Sequence, residues 1–331
     1  MAGKGIVYKG PLPKEACLVE ESPKAKKVKT LIEEIPQTIP QQTQKEALKT
    51  VEHIISNVRI GKAIEEEPLK KVIKQMVEEV ISNQEAMLNL VKIKSHDEYT
   101  FAHSTNVCTL AILLGIKRNF NKAEIEEMAI GGMLHDVGKV KIKEEILLKP
   151  NKLTIKEYEE VRKHPLYGYE ILNESKLSEL PKVIAAQHHE RIHGQGYPQG
   201  LSRDKIHPLA RLVALVNLYD SLTTDKPYRS KFLPHDAMRL IISQSGRDFP
   251  VEDVKKFVED MSIYPMGSFV RLNTGEIGVI TRINRYAVIR PWVKILLNAK
   301  RGILYKPIEV NLIKDKERFI VNCVGEEVMF E

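Results

Sequence analysis

Ile130-Gly131-Gly132-Met133-Leu134-His135-Asp136-Val137-Gly138-Lys139 is an apolar run that stops on a histidine and an aspartate. Upstream, Ile125, Met128, Ala129 and Met133 recur at helical spacing, so the run predicts a buried helix whose end presents His135 and Asp136. Working outward, Leu110, Leu113 and Leu114 fall on one face of a second helix. Further helical patterns run from Ile155 to His164, Pro165 to Leu172, Val183 to His189, Pro208 to Thr223, Asp236 to Gln244 and Val251 to Met261. Strand patterns are scarce between them. An all-α domain over residues 95–263 follows.

Two regions flank it. Before it, Ala47, Val51, Ile54, Ile55 and Val58, then Val72, Met76, Val80, Ile81 and Met87, predict two helices in a connector over 41–94. Residues 1–40 carry Pro11, Pro13, Pro23, Pro36 and Pro40 and read as a small irregular or β unit. After it, the period switches. Ser268 to Leu272, Gly278 to Ile283 and Ala287 to Arg290 are β-prone, and Asn273-Thr274-Gly275 reads as a hairpin turn. A small β appendage over 264–331 is expected. The fold class is therefore mainly α, with a small unit at each end.

The 331 residues are 43% hydrophobic and 29% charged, enough for a sizeable core without disulfides or metal staples. Cys17, Cys108 and Cys323 form no C-x-x-C pair, which excludes a zinc ribbon or thioredoxin-type site. Scattered free thiols and the lack of a signal-length apolar stretch lead us to expect a cytoplasmic protein with no membrane partner. The net charge of +7 admits a polyanion-steering surface or a solvated lysine-rich one. Lysines share their segments with glutamates, as from Glu65 to Glu79, so no DNA or RNA duplex is expected as partner.

Six of the ten histidines fall between His103 and His193. His135-Asp136 and His188-His189 end apolar helices, His164 starts one, and Asp220 ends the apolar stretch Leu212 to Leu218. A polar group stranded in a core costs several kcal/mol, so these residues need a shared partner. Imidazoles mixed with carboxylates suit iron, manganese or zinc better than magnesium or calcium. Seven such ligands exceed what one ion takes. Taken singly, His103 reads as an ordinary histidine, His164 as a helix start and Asp220 as a helix end; jointly they read as a metal cluster.

The order His103, His135-Asp136, His164, His188-His189, Asp220 resembles the HD superfamily of metal-dependent phosphohydrolases. Leu134-His135-Asp136-Val137-Gly138-Lys139 and His188-His189-Glu190-Arg191-Ile192-His193-Gly194-Gln195-Gly196-Tyr197-Pro198 resemble the two signatures of its HD-GYP branch. Tyr99 to Ser104, His164-Pro165 with Gly168, and Tyr219 to Thr223 match as well. The resemblance implies an all-α HD-type domain that cleaves cyclic di-GMP to pGpG and on to GMP by attack of a metal-bridging hydroxide. It implies two or three transition-metal ions, iron first and manganese next, on His103, His135, Asp136, His164, His188, His189 and Asp220. Glu98 would serve a third ion or be a plain helix acid. GGDEF-domain proteins and a second copy of the chain are the protein partners it suggests.

Asp136 and Lys139 are the expected catalytic residues, Lys139 acting on the phosphate or the leaving oxygen. Arg229 would clamp a phosphate, with Lys231 nearby, and Gly196, Tyr197 and Pro198 would shape the mouth. One departure stands out: His193 occupies a position where the family signature has aspartate. That leaves a second expectation open, a metal-bearing cyclic di-GMP receptor or scaffold, and a third, a nucleotidase for another nucleotide. All seven ligands and Lys139 favour the enzyme; His193 favours the scaffold.

Overall fold

The computed structural model describes residues 41–82, 99–149, 151–224, 231–284, 287, 289–300, 302–325 and 328. The expected N-terminal unit at 1–40 lies outside them, as do Glu98 and Arg229. Numbered in chain order, the described α-helices are α1 Gln41–Arg59, α2 Glu66–Ser82, α3 Tyr99–Lys117, α4 Lys122–Leu134, α5 Glu144–Leu147, α6 Ile155–Val161, α7 His164–Asn173, α8 Glu179–Gln187, α9 Pro208–Thr223, α10 Pro234–Ser243 and α11 Val251–Met261.

The helix ends follow from local chemistry. Asn121 and Glu124 form a capping box that starts α4, and Thr154 and Glu157 do the same for α6. Proline in the first turn, where its missing N–H costs nothing, opens α7, α9 and α10. One hydrophobic core holds the bundle together. It runs from Ala47, Val51 and Leu69 through Val107, Leu113, Met128, Met133, Ile184, Val213 and Tyr219 to Phe257. The α3 stretch from Ala102 to Gly115 is buried throughout, which explains why its sequence lacks a polar stripe.

The mainly α expectation holds, and the β end is a sheet of five antiparallel strands. These are β1 Phe269–Leu272, β2 Ile277–Arg282, β3 Trp292–Leu297, β4 Ile303–Asn311 and β5 Ile320–Val324, in the order β4-β3-β2-β1-β5. Asn273-Thr274-Gly275 forms the expected hairpin, with Gly275 at φ 86°. The third strand differs from expectation. Residues 289 and 290 sit in a turn and a bend ahead of Pro291, and the strand begins at Trp292, where apolar residues can pair with β2 and β4. One sheet face packs Val270, Ile280, Val293 and Ile295 against Leu233, Ile263 and Tyr264. His235 stacks on Tyr264 with ring centroids 5.2 Å apart.

Candidate metal centre and adjoining cavity

Three α-helix ends, the start of a 3-10 turn and two positions inside helices converge. His135 caps the C-terminus of α4, and Asp136 opens the 3-10 turn Val137–Lys141. His164 begins α7, His188 caps α8, His103 lies near the start of α3, and Asp220 lies one turn from the end of α9. The turn after Asp136 sits so close to α7 that a Cβ at Gly138 would lie 2.0 Å from the His164 carbonyl oxygen. Only glycine permits that approach.

Three of the histidines share one device. Nδ1 of His135 bonds the Gly132 carbonyl at 2.7 Å, Nδ1 of His164 that of Val161 at 2.7 Å, and Nδ1 of His188 that of Ala185 at 2.9 Å. A carbonyl can only accept, so Nδ1 carries the proton and Nε2 keeps its lone pair facing inward. The helix or turn that carries each histidine thus fixes its tautomer through the residue three positions back. His103 is held differently, its Nδ1 lying 2.6 Å from Asp220 Oδ2.

The inward atoms fall into two groups, His103 with His135 and Asp136, and His164 with His188 and His189. Within each, three ligand atoms lie within 4.8 Å of one another. Asp136 stands between the groups. Its Oδ1 lies 3.2 Å from His164 Nε2 and 3.8 Å from His188 Nε2. Its Oδ2 lies 3.4 Å from His135 Nε2 and 3.9 Å from His103 Nε2. Asp220 reaches the cluster through His103 and belongs to neither group.

Two features of this arrangement call for a cation. The Nε2 atoms of His164 and His188 face each other at 3.2 Å, and by the tautomer argument both present lone pairs. His135 Nε2 is buried and has no hydrogen-bond partner among the described residues. Burial, then the neighbouring His189, His135 and His164, hold His188 well below the usual histidine range, so it stays neutral as a ligand must. His189 is held down in the same direction by burial and by His164. Burial works against charge on Asp136. The Lys139 ammonium beside it outweighs burial and keeps the carboxyl well below the usual carboxylate range. The mixed nitrogen and carboxylate donors suit divalent transition metals.

Lys139 lies with Nζ 2.5 Å from Asp136 Oδ2, so it meets the cluster through that carboxylate. Lys231 is exposed just before α10. Tyr197 stacks on His189, with centroids 4.5 Å apart and planes 21° apart, and its N–H bonds the His189 carbonyl at 3.2 Å. Gly196 allows the loop to close: a Cβ there would lie 2.4 Å from the Glu190 Cα and the Arg191 nitrogen. Pro198 completes the turn through a cis peptide bond. His193 points elsewhere, its Nε2 3.1 Å from the Gly246 carbonyl oxygen, and belongs to neither group.

Residues without a role in the sequence reading also shape the site. Buried Glu190 accepts from the Gln199 N–H at 2.7 Å and the Leu201 N–H at 2.8 Å, pinning the loop that carries Tyr197. A cavity of about 270 Å³ opens beside His189, lined by Tyr158, Arg162, Arg191, Gln195, Gly196 and Tyr197. Glu190 stands within the quoted signature. Tyr158 and Arg162 precede His164 by six and two residues, and nothing in their local pattern marks them.

The comparisons with known proteins agree with this geometry. A family model described as HD domain matches residues 76–250, and one described as KOW domain associated with HD domain matches residues 269–331. A cyclic di-GMP phosphodiesterase of Pseudomonas aeruginosa is 34% identical over 258 residues, covering 78% of this chain and 62% of its own length. A cyclic di-GMP phosphodiesterase response regulator of Xanthomonas campestris is 33% identical, covering 47% of this chain and 42% of its own. A 3'3'-cGAMP-specific phosphodiesterase of Vibrio cholerae is 33% identical, covering 60% of this chain and 38% of its own. The chain thus spans less than two thirds of the length of these relatives. A solved HD-GYP-type protein of Bdellovibrio bacteriovorus shares the fold, with a TM-score of 0.54 at 22% identity over 65% of this chain and 68% of that one. With the HD model covering 76–250 and the two histidine-bearing signatures brought into one cluster, the chain belongs to the HD-domain family, in its HD-GYP type.

Proposed function

We propose that the chain is a metal-dependent phosphodiesterase that cuts cyclic di-GMP to linear pGpG, with GMP as the product of a second cut. The observation that carries this reading is the position of Asp136, one carboxylate oxygen toward each histidine group. Such a carboxylate suits two neighbouring ions. The ligands are His103, His135 and Asp136 on one side and His164, His188 and His189 on the other. Asp220 acts on the first group, as a ligand or by orienting His103. Iron is the proposed resident metal and manganese the alternative, with Glu98 available to a third ion. When bound, the ions supply a water-derived nucleophile and positive charge against the phosphate oxygens.

The chain's own residues do the rest. Asp136 keeps both groups in register. Lys139 neutralises charge on the carboxylate side and offers a proton or a counter-charge to the departing oxygen. The Tyr197 loop, pinned by Glu190, walls the substrate side, and Arg229 and Lys231 are proposed as phosphate contacts on the strength of their chemistry alone. Names of the relatives support the substrate class.

The domain organisation we infer is a connector over 41–94, a catalytic domain over 95–263 and a β appendage over 264–331, following the unit at 1–40. Among the described residues no helix is long and apolar enough to cross a membrane. Buried free thiols at Cys108 and Cys323 suit a reducing compartment, and we place the chain in the cytoplasm. GGDEF-domain proteins and a second copy of the chain are partners proposed on the family resemblance.

Anaerobic reconstitution with iron or manganese, followed by elemental analysis and a hydrolysis assay with cyclic di-GMP and 3'3'-cGAMP side by side, tests the reading. At least two ions per chain and turnover of cyclic di-GMP are expected. One ion or fewer would remove the paired-metal assignment. Tight binding of an uncut nucleotide with either metal would establish the receptor reading instead.

A further inference from the structure

The cavity beside His189 has a composition of its own. Its lining contains two arginines and two tyrosines, and no lining residue is acidic. The two arginines are not equivalent. Arg191 donates to the carbonyls of Glu190 at 2.7 Å and His188 at 3.4 Å, and it stacks on Phe249. Arg162 lies at the C-terminus of α6, with its guanidinium 4.8 Å from the centroid of the Tyr197 ring. Among the described residues its guanidinium has no hydrogen bond and no ion pair. Arg162, Tyr197 and His189 therefore form a column that runs from the cavity to the second histidine group.

An arginine whose guanidinium sits over an aromatic ring still has N–H groups to offer an anion. A cavity of about 270 Å³ lies just below the usual range for ligand pockets, so it suits part of a dinucleotide and not the whole. Because the cavity adjoins the histidines, a ligand with one phosphate at the metal centre would extend its other half into it. Resting on the cyclic-dinucleotide reading above, we propose that the cavity receives the half whose phosphate is not being cut, and that Arg162 pairs with that second phosphate. Arg162 is thus a substrate-binding and specificity residue that favours diesters carrying a second phosphate.

The test compares two substrates on the metal-replete full chain. Cyclic di-GMP has a second phosphate; bis(p-nitrophenyl) phosphate has one phosphodiester only. Arg162→Ala should raise KM for cyclic di-GMP by roughly ten- to a hundredfold, the range for losing a charge-assisted contact, with kcat far less affected. The ratio of kcat/KM for cyclic di-GMP over that for bis(p-nitrophenyl) phosphate should fall by the same factor. Arg162→Lys should recover part of it, since a lysine restores the charge and not the fork. Arg162→Gln carries the same reading if the alanine variant is unstable. An unchanged ratio, whether both substrates suffer alike or neither does, overturns the proposal. If the wild type cuts bis(p-nitrophenyl) phosphate and leaves cyclic di-GMP intact, the substrate reading falls by itself. Titration with fluorescently labelled cyclic di-GMP then decides the role of Arg162. A dissociation constant at least tenfold weaker in Arg162→Ala sustains the subsite, and equal or absent binding in the two proteins removes it.

Discussion

The two histidine groups use the same residue type and differ in how they are held and charged. His103, His135 and Asp136 are all buried, with the Asp220 carboxylate on His103 and the Lys139 ammonium on Asp136. His164 and His188 are buried too, but His189 is half-buried, stacked on Tyr197 and open to a cavity. The first group is charged and closed; the second is all imidazole and faces the cavity. The contrast suggests a division of labour, with charge set by the closed side and substrate admitted on the open side. Asp136 turns one carboxylate oxygen toward each.

That last point carries the largest expected effect. Asp136→Asn removes the charge shared by both groups, and hydrolysis of cyclic di-GMP should fall by at least about 10³-fold, with metal content falling alongside. Steady-state assays with elemental analysis on the same samples check it, and full activity in a metal-replete variant would show that the groups do not depend on this carboxylate. Lys139→Ala touches the closed side only. Turnover should drop by about 10²–10³-fold with a smaller loss of metal, because the ligands remain. A large metal loss with turnover per bound ion preserved would instead make Lys139 a holder of Asp136.

Glu190→Gln acts on the open side. Its amide would set an N–H₂ donor against a backbone N–H, costing about 1–3 kcal/mol at the loop that carries Tyr197. KM for cyclic di-GMP should rise severalfold with metal content unchanged, which kinetics and elemental analysis together would reveal. Loss of metal in this variant would mean the loop supports the cluster itself.

The smallest effect separates the groups by pH in metal-free protein. His188 and His189 have depressed pKa values in the folded chain. Above about 6.5 they are neutral whether the chain is folded or not. Below that, the unfolded chain takes up protons that the folded one refuses, so stability falls as pH drops from about 6.5 toward 5. Asp136 is also depressed, so its contribution is present above about 3.9 and is lost only at lower pH, as the folded carboxyl itself titrates. Thermal melts in chelator should therefore decline first through the histidine range. A flat profile between pH 7.5 and 5.5 would show that the open group is not held neutral.

Much of the fold and the cluster was legible in residue order. The run from Ile130 to Asp136 reads as a buried helix ending on two polar residues because apolar spacing of 3.6 leaves few other options. The hairpin at Asn273-Thr274-Gly275 follows from local turn chemistry, since Gly275 accepts a positive φ. The third strand was misplaced because Ala287 to Arg290 and Trp292 to Leu297 are both β-prone. Pairing with β2 and β4 selects the second, and pairing is a long-range event.

By itself, then, the sequence determined the residue types, the helix ends that present them, and the HD-GYP pattern in which they stand. Local spacing and backbone chemistry suffice for that. Only the tertiary structure decided which imidazoles share a group, that Asp136 turns one oxygen toward each, and that His193 points to Gly246 and away from both. It alone brought Arg162 onto the face of Tyr197, 35 positions along the chain. Such relations depend on how helices pack, and packing is set by many weak contacts between residues far apart in sequence.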